Sequence, residues 1–409
     1  MEPVTHFLTG ACLGRAGLNR KTAYATLAAV LAAEAADLDV IWGLAGPVNE
    51  LKHHRGITHT FWAVPVVAGV VVGAVWLIDR ARRARNVKGH DRGTHPVGGS
   101  RAAKRQKNDG ALAPEGLGQF ASAGAPSISS ASADEMGGNS QQPIHWGWLY
   151  LTAFIAALSH LLLDWTNNYG LRPFFPFNPR WYAGSFMFIA EPVVWALLFL
   201  AFFMPWVLGL ADREIGARKQ RFRGRGWAIF ALSGMLILGC WRWAEHAQAL
   251  VMVTNSPISA EPALRIAAEP SPINPFRWHA IVETADYYQT AEIDTRTGTI
   301  DSDSLRDMLY KPADTPAVEA AKQTPLGRVY LDWGTWAVVR DVGPEPAPGM
   351  EPPQLPPQRT WTTVEFTDLR FDTHRPTRGD ARHSPLSGWV YIVDGHEDAG
   401  ESMNGMKQR

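Results

Sequence analysis

The chain has 409 residues, enough for two or three domains, and its 39 basic and 39 acidic residues give a formal net charge of +0. That balance gives no global pull toward nucleic acid or an acidic partner, and no nucleic acid is expected among its ligands. Its two cysteines, Cys12 and Cys240, lie far apart in apolar segments, which excludes a disulfide framework or a cysteine-based metal motif.

The average composition hides two halves. Residues 1–255 hold nearly all the long apolar runs, whereas 256–409 read as a soluble, proline-rich region. No basic stretch followed by a small-residue cleavage site opens the chain, so no cleaved signal peptide is expected. The first helical stretch, "THFLTGACLG", covers only about 15 Å at 1.5 Å per residue, which predicts a short or re-entrant helix. The next, residues 22–42, is alanine-rich and carries Glu34, Asp37 and Asp39. It is a helix, and a span if something neutralises those acids. Four further segments, 60–78, 146–164, 187–210 and 227–244, meet the requirement of roughly 20 apolar residues for about 30 Å of hydrocarbon. Pro65, Pro192 and Pro205 are tolerable there, because neighbouring helices can satisfy freed backbone groups.

Between the spans, residues 86–145 are rich in Gly, Ser, Ala and Gln and read as a disordered cytoplasmic linker. Basic loops at 80–92 and 212–225 place their sides of the membrane in the cytoplasm. The region after the last span then faces the opposite side, the periplasm for a bacterial inner membrane. Beyond a connector at 256–273, "RWHAIVET", "YYQTAEIDTRTG", "GRVYLDWGTWAVVRDV", "RTWTTVEFTDLRF" and "GWVYIVDG" read as antiparallel strands. "LRDMLY" and "PAVEAAKQ" read as short helices. His279, His374 and His383 stand alone and read as surface or core residues. The expected architecture is an α-helical polytopic membrane bundle of about five spans plus a short N-terminal helix. Its parts are 1–85 and 146–255, with the linker 86–145 between them. A β-rich α+β soluble domain follows at 256–409.

With that topology the ionisable residues converge. Asp37 and Asp39 close helix 22–42, and "HHRGITHT" places His53, His54, Arg55 and His59 before span 60–78. "SHLLLDWTNNYG" places His160 and Asp164 at the end of span 146–164, and "FIAEP" puts Glu191 near the start of the next. All fall at one end of the bundle. His160 and Asp164 are one helical turn apart, on one face, and can share a cation. His54 and His59, five apart, would diverge on a continuous helix, which predicts a helix start near Thr58 as N-cap. Asp37 and Asp39 can face one site only where their helix ends, and a bound cation would offset their unfavourable position at its C-terminus. Mixed imidazole and carboxylate donors without thiolate fit Zn²⁺ best, with Mn²⁺ or Fe²⁺ as alternatives. More than four candidate ligands point to two ions, or to one ion plus a general base. Arg55 and Glu191 are the candidate catalytic residues, Arg55 as a stabiliser of a developing phosphoryl anion. A purely structural polar network between helices is the bland alternative.

Together "THFLTG", "DLD", "HRGITHT", "SHLLLDWTNNYG" and the following acid–Pro pair resemble the YdjM-like family. Its members are LexA-regulated, inner-membrane-associated proteins regarded as metal-dependent hydrolases. The resemblance covers about residues 1–255, and "NPFRWHAIVET" at 274–284 is similar to the start of the tail of longer members. A more distant likeness is to zinc-dependent phospholipase C and the related single-strand nucleases. Residue by residue, the resemblance implies His6, Asp37, Asp39, His54, His59, His160 and Asp164 as metal ligands. Glu191 stands where an aspartate would be expected. For His6 to join the others, the first helix must be buried among its neighbours. The function expected is metal-dependent hydrolysis of a phosphoester, in a lipid or lipid-linked substrate reached at the bilayer surface. The rivals are a transporter or other non-catalytic metal-binding membrane protein, and a scaffold whose C-terminal domain binds a partner.

Overall fold

The computed structural model describes residues 1–91, 142–216, 223–303, 306–371 and 386–408. Most of the expected linker, and with it His374 and His383, lies outside the described residues. The first two helices, α1 (Pro3–Ala16) and α2 (Ala25–Glu34), form a hairpin buried in the bundle. Small residues allow this: a Cβ on Gly10 would lie 2.7 Å from the Ala29 carbonyl oxygen, and one on Gly14 2.6 Å from Thr26 Cα. At 14 residues, α1 is about 21 Å long. The hairpin turn therefore reaches the far ends of the neighbouring helices, where Thr22 Oγ1 accepts from His145 N at 2.9 Å and Tyr24 OH donates to Asp79 at 3.4 Å.

After α2 the chain runs through a ten-residue 3₁₀ helix, Ala36–Ala45, and α3 (Pro47–His53) into a 3₁₀ turn, Ile57–His59. Among the described residues, four helices follow in this half: α4 (Ala63–Asp91), α5 (Trp146–Thr166), α6 (Pro192–Glu214) and α7 (Arg225–Asn255). Each contains a segment long and apolar enough to cross a membrane. The fifth expected span is not among them. Residues 22–42 hold an α-helix of ten residues, about 15 Å, and then tighten into the 3₁₀ helix that turns the acids toward the histidines. Nor does α4 start near Thr58. It begins at Ala63, whose N–H is capped by Thr60 Oγ1 at 3.1 Å, and it continues to Asp91.

Helix α7, with 31 residues, is about 46 Å long and overshoots a hydrocarbon core of about 30 Å. Ala249 and Val253 near its end share one core with Trp278, Ala280 and Ile293 of the C-terminal domain. That domain holds two five-stranded antiparallel sheets. The first has the order β1 (Arg265–Pro270), β2 (Arg277–Glu283), β3 (Tyr287–Asp294), β4 (Thr299–Asp301), with β5 (Met308–Tyr310) also on β3. The second comprises β6 (Ala337–Gly343), β7 (Trp361–Asp368), β8 (Gly388–Val393), β9 (Glu397–Met403) and β10 (Met406–Lys407), paired in sequence order. Helices α8 (Pro316–Lys322) and α9 (Pro325–Trp333) cover the second sheet.

Two readings change here. "LRDMLY" ends in strand β5, because Tyr288 and its neighbours on β3 supply a pairing edge. "GRVYLDW" is the body of α9 rather than a strand. Thr324 Oγ1 accepts from Gly327 N and Pro325 occupies the first turn, so the helix is capped before the alternation can act.

The two halves are fastened together. Tyr169, Val48 and Leu51 from the helical half lie in the core of the second sheet and its helices. Buried Arg370 donates to the Asn168 carbonyl at 2.8 Å. The metal-candidate end of the bundle therefore faces the β-rich domain.

Candidate metal centre

His160 and Asp164, one turn apart on α5, point into the bundle together, as their spacing predicts. The 3₁₀ turn at Ile57–His59 brings His59 over them, and the start of the 3₁₀ helix after α2 brings Asp37. One donor atom from each of Asp37, His59, His160 and Asp164 lies within 4.8 Å of every other. His59 Nε2 is 3.0 Å from His160 Nε2, 3.3 Å from Asp37 Oδ1 and 3.3 Å from Asp164 Oδ2. His160 Nε2 is 3.5 Å from Asp37 Oδ1 and 3.4 Å from Asp164 Oδ2. Donors held tetrahedrally at about 2.0–2.1 Å from zinc would be about 3.3–3.4 Å apart, so the set has the right size.

The hydrogen bonds behind these donors fix their tautomers. His160 Nδ1 lies 2.6 Å from the carbonyl oxygen of Ala33, which can only accept, so in the neutral ring Nδ1 carries the proton and Nε2 a lone pair. His59 Nδ1 lies 3.3 Å from Asp39 Oδ2 and 3.0 Å from Thr58 Oγ1, partners that can hold its proton there and free Nε2 to ligate when a metal is bound. Two imidazole Nε2 atoms and two carboxylate oxygens thus converge, and a metal would replace any proton held among them. Asp37 Oδ2 and Asp164 Oδ2 are buried without a hydrogen-bond partner. A set of electron-pair donors like this calls for a cation at its centre, and its residues fit a divalent metal.

The field says the same. Burial works against protonating His59, yet the carboxylates of Asp164, Asp37 and Asp39 around it outweigh burial and lift its pKa to about 10, so positive charge is favoured there, as a proton or as a metal. Burial opposes ionisation of Asp37 and Asp39, but hydrogen bonds from His160 and His59 to Asp37, and from His54 and His59 to Asp39, hold both well below the usual carboxylate range.

The remaining sequence candidates fall around this group. Asp39 stands behind His59. Besides facing that ring it meets His54 Nδ1 at 3.1 Å and accepts from Arg55 N at 2.8 Å and Thr58 Oγ1 at 3.1 Å. It is placed to orient the His59 ring. His54 reaches Asp39 and is outside the four-residue group. His6 is brought in by the buried hairpin: it stacks on His160 at 3.8 Å, and its Nε2 lies 3.3 Å from Asp164 Oδ1. The Met1 amino group meets the same oxygen.

Arg55 adopts φ +54°, a left-handed conformation unusual outside glycine. This lets its N–H face Asp39 while its side chain turns the other way. Nη2 donates to Asp164 Oδ1 at 2.9 Å, and Nη1 to Asn167 Oδ1 at 3.2 Å and the Gly170 carbonyl at 2.9 Å. The guanidinium is engaged in holding Asp164.

Glu191 lies elsewhere. Its Oε2 accepts from Arg242 Nη2 at 2.9 Å, and Arg242 also holds the Ser271 and Asn274 carbonyls at 3.0 and 3.1 Å. Both side chains are buried, and the pair locks α6 and α7 to the entry of the β-rich domain. Arg242 was missed by the sequence reading, although an arginine inside the apolar "GCWRWAEH" signals a buried partner. No pattern marked Asn167 and Gly170 as the acceptors of Arg55, or the Ala33 carbonyl as the orienter of His160.

The fold and this donor set define a helical membrane-type protein whose bundle carries a buried histidine–aspartate cluster that could hold a metal ion. The family described as YdjM inner membrane protein matches residues 1–249, and the chain belongs to that family. No curated protein and no solved structure matches it.

Proposed function

We propose that this inner-membrane protein is a metal-dependent hydrolase acting on a phosphoester, in a lipid or lipid-linked substrate met at the periplasmic surface of the bilayer. The observation that carries this reading is the convergence of four ligand-type donor atoms from Asp37, His59, His160 and Asp164. These four would hold the ion, with Zn²⁺ best suited to the donor types. A bound divalent ion supplies Lewis acidity toward a phosphoryl oxygen.

The chain's own residues do the rest. Asp39 and the Ala33 carbonyl keep the two imidazoles in the ligating tautomer. Arg55 acts as a positioning residue for Asp164, and its charge offsets part of the excess of carboxylates. His6, whose Nδ1 is buried without a partner, and His54, the more exposed imidazole, are the remaining groups able to carry protons or a second ion. The donors sit at helix ends rather than mid-span, which favours hydrolysis over transport.

Protein purified in detergent should carry close to one equivalent of metal by mass spectrometry. It should also hydrolyse bis(p-nitrophenyl) phosphate, losing that activity on chelation. Metal-free protein that cannot be loaded would overturn the reading. For orientation, alkaline phosphatase fused after residue 256 should be active and fused within 90–140 inactive, and the reverse would place the site in the cytoplasm.

A further inference from the structure

The 3₁₀ helix Ala36–Ala45 carries more than ligands. Runs of this length are uncommon, and at three residues per turn its side chains eclipse at i and i+3. Ala36 and Asp39, at the start of one ridge, are turned inward and buried. Another, Leu38, Ile41 and Leu44, is 70, 63 and 79 % exposed. A ten-residue segment that turns an acid in and three large aliphatic residues out does not suit a water-facing loop. Exposing such a ridge to water forgoes the gain from burying three large aliphatic side chains.

A second apolar surface stands near the ridge. Across the metal centre, Ile57 and Trp62 are 66 and 60 % exposed, and they lead directly onto the apolar outer side of α4, where Val66 and Val70 are 64 and 67 % exposed. The 3₁₀ helix packs on the turn carrying Ile57. Of the four donor residues, His59, His160 and Asp164 are sealed, and Asp37, next to Leu38, is the one that reaches the surface, at 17 %. The approach to the ion thus runs beside the apolar ridge. Lys52 is exposed nearby, and its neighbour His53 stacks on Trp42 at 4.3 Å. This is the order of groups a phospholipid presents: anionic headgroup, then acyl chain.

We propose that the Leu38–Ile41–Leu44 ridge dips into the acyl region of the adjoining leaflet and that the centre takes its substrate sideways from the bilayer, as an amphiphile with its phosphoester at headgroup depth. The second clause rests on the hydrolase reading above; the first does not. In the Cys240→Ala background, with Cys12 left buried, a bimane attached through Ile41→Cys reports its surroundings. The protein is reconstituted into phosphatidylethanolamine–phosphatidylglycerol vesicles containing phosphatidylcholine brominated near the glycerol end of its chains. Quenching by the bromolipid and protection from iodide are expected. Quenching by iodide would put the ridge in water, and shielding from both quenchers would put it under protein, and either result overturns the proposal.

In parallel, Ile41→Asp and Leu44→Asp should each lower hydrolysis of a vesicle-embedded, acyl-labelled phosphatidylglycerol about tenfold or more. Bound metal and turnover of bis(p-nitrophenyl) phosphate should not change. Equal loss on both substrates would overturn lateral entry. A wild-type protein that turns over neither substrate sinks the hydrolase reading, while the quenching result still decides where the ridge lies.

Discussion

Two buried aspartates in this molecule, Asp368 and Asp164, are both almost inaccessible to water yet are handled in opposite ways. Asp368, at the end of β7, faces one base. Arg370 Nε and Nη2 reach its two oxygens at 2.9 Å each, and the N–H groups of Arg370 and Trp336 add two more bonds. One negative charge meets one positive charge with its acceptors filled, a geometry that fastens a domain and leaves nothing to react. Asp164 also has its arginine, Arg55, but only on Oδ1. Its Oδ2 turns toward two histidines and a second carboxylate and is left unsatisfied. Burial alone does not separate a structural acid from a functional one. Here an unfilled acceptor beside two converging imidazoles does.

The sharpest way to break that contrast is to remove a donor. His160→Ala and Asp164→Ala should each reduce bound metal to background by mass spectrometry while the protein stays inserted. Full retention in both would reduce the cluster to a polar helix contact. Removing the structural partner should do the reverse: Arg370→Ala leaves Asp368 buried and unpaired. It should lower stability by about 3–5 kcal/mol in thermal melts without changing the metal bound per folded molecule.

Glu269, on β1 beside this pair, adds a pH signature. Burial pushes its carboxyl up to about 8, with the Arg370 charge opposing and the Asp368 charge adding to the shift. Because the folded value lies above the ordinary 4.5, its stabilising contribution is complete below 4.5 and is lost as pH rises toward about 8. Across that window the melting midpoint should fall, and Glu269→Gln should flatten the slope, an effect of up to a few kcal/mol. A smaller effect is expected from the outer carboxylate. Asp39→Ala should weaken metal affinity about 10–100-fold in a chelator competition, because it frees the His59 ring without removing a ligand. Least of all should come from the exposed pair of Lys322 with Asp314 and Glu319, where Lys322→Ala should leave the melting midpoint within experimental scatter.

Much of this was legible along the chain. The spans were readable because lipid imposes about 20 apolar residues per crossing whatever the partners. The His160–Asp164 pair was readable because one helical turn sets its geometry locally. Strands β2, β3, β7 and β8 announced themselves by alternation. What failed depended on neighbours or caps. Residues 22–42 have the composition of a span, yet they end as an α-helix at Glu34 because the acids beyond it are drawn to His59 and His160. The α9 segment alternates like a strand, but Thr324 and Pro325 start a helix first.

The sequence by itself determined a set of apolar helices, a β-rich tail, and histidines and carboxylates gathered toward one end. Those follow from periodicity, length and local spacing. Only the tertiary structure decided the division of labour among them: Asp37 on the centre and Asp39 behind it, Glu191 beside Arg242, and Arg55 holding Asp164. The reason is physical. Whether a buried charge is answered by a base, a backbone donor or an ion depends on which groups arrive within about 3 Å of it. That is set by the packing of helices far apart in the chain, a distance that local spacing does not encode.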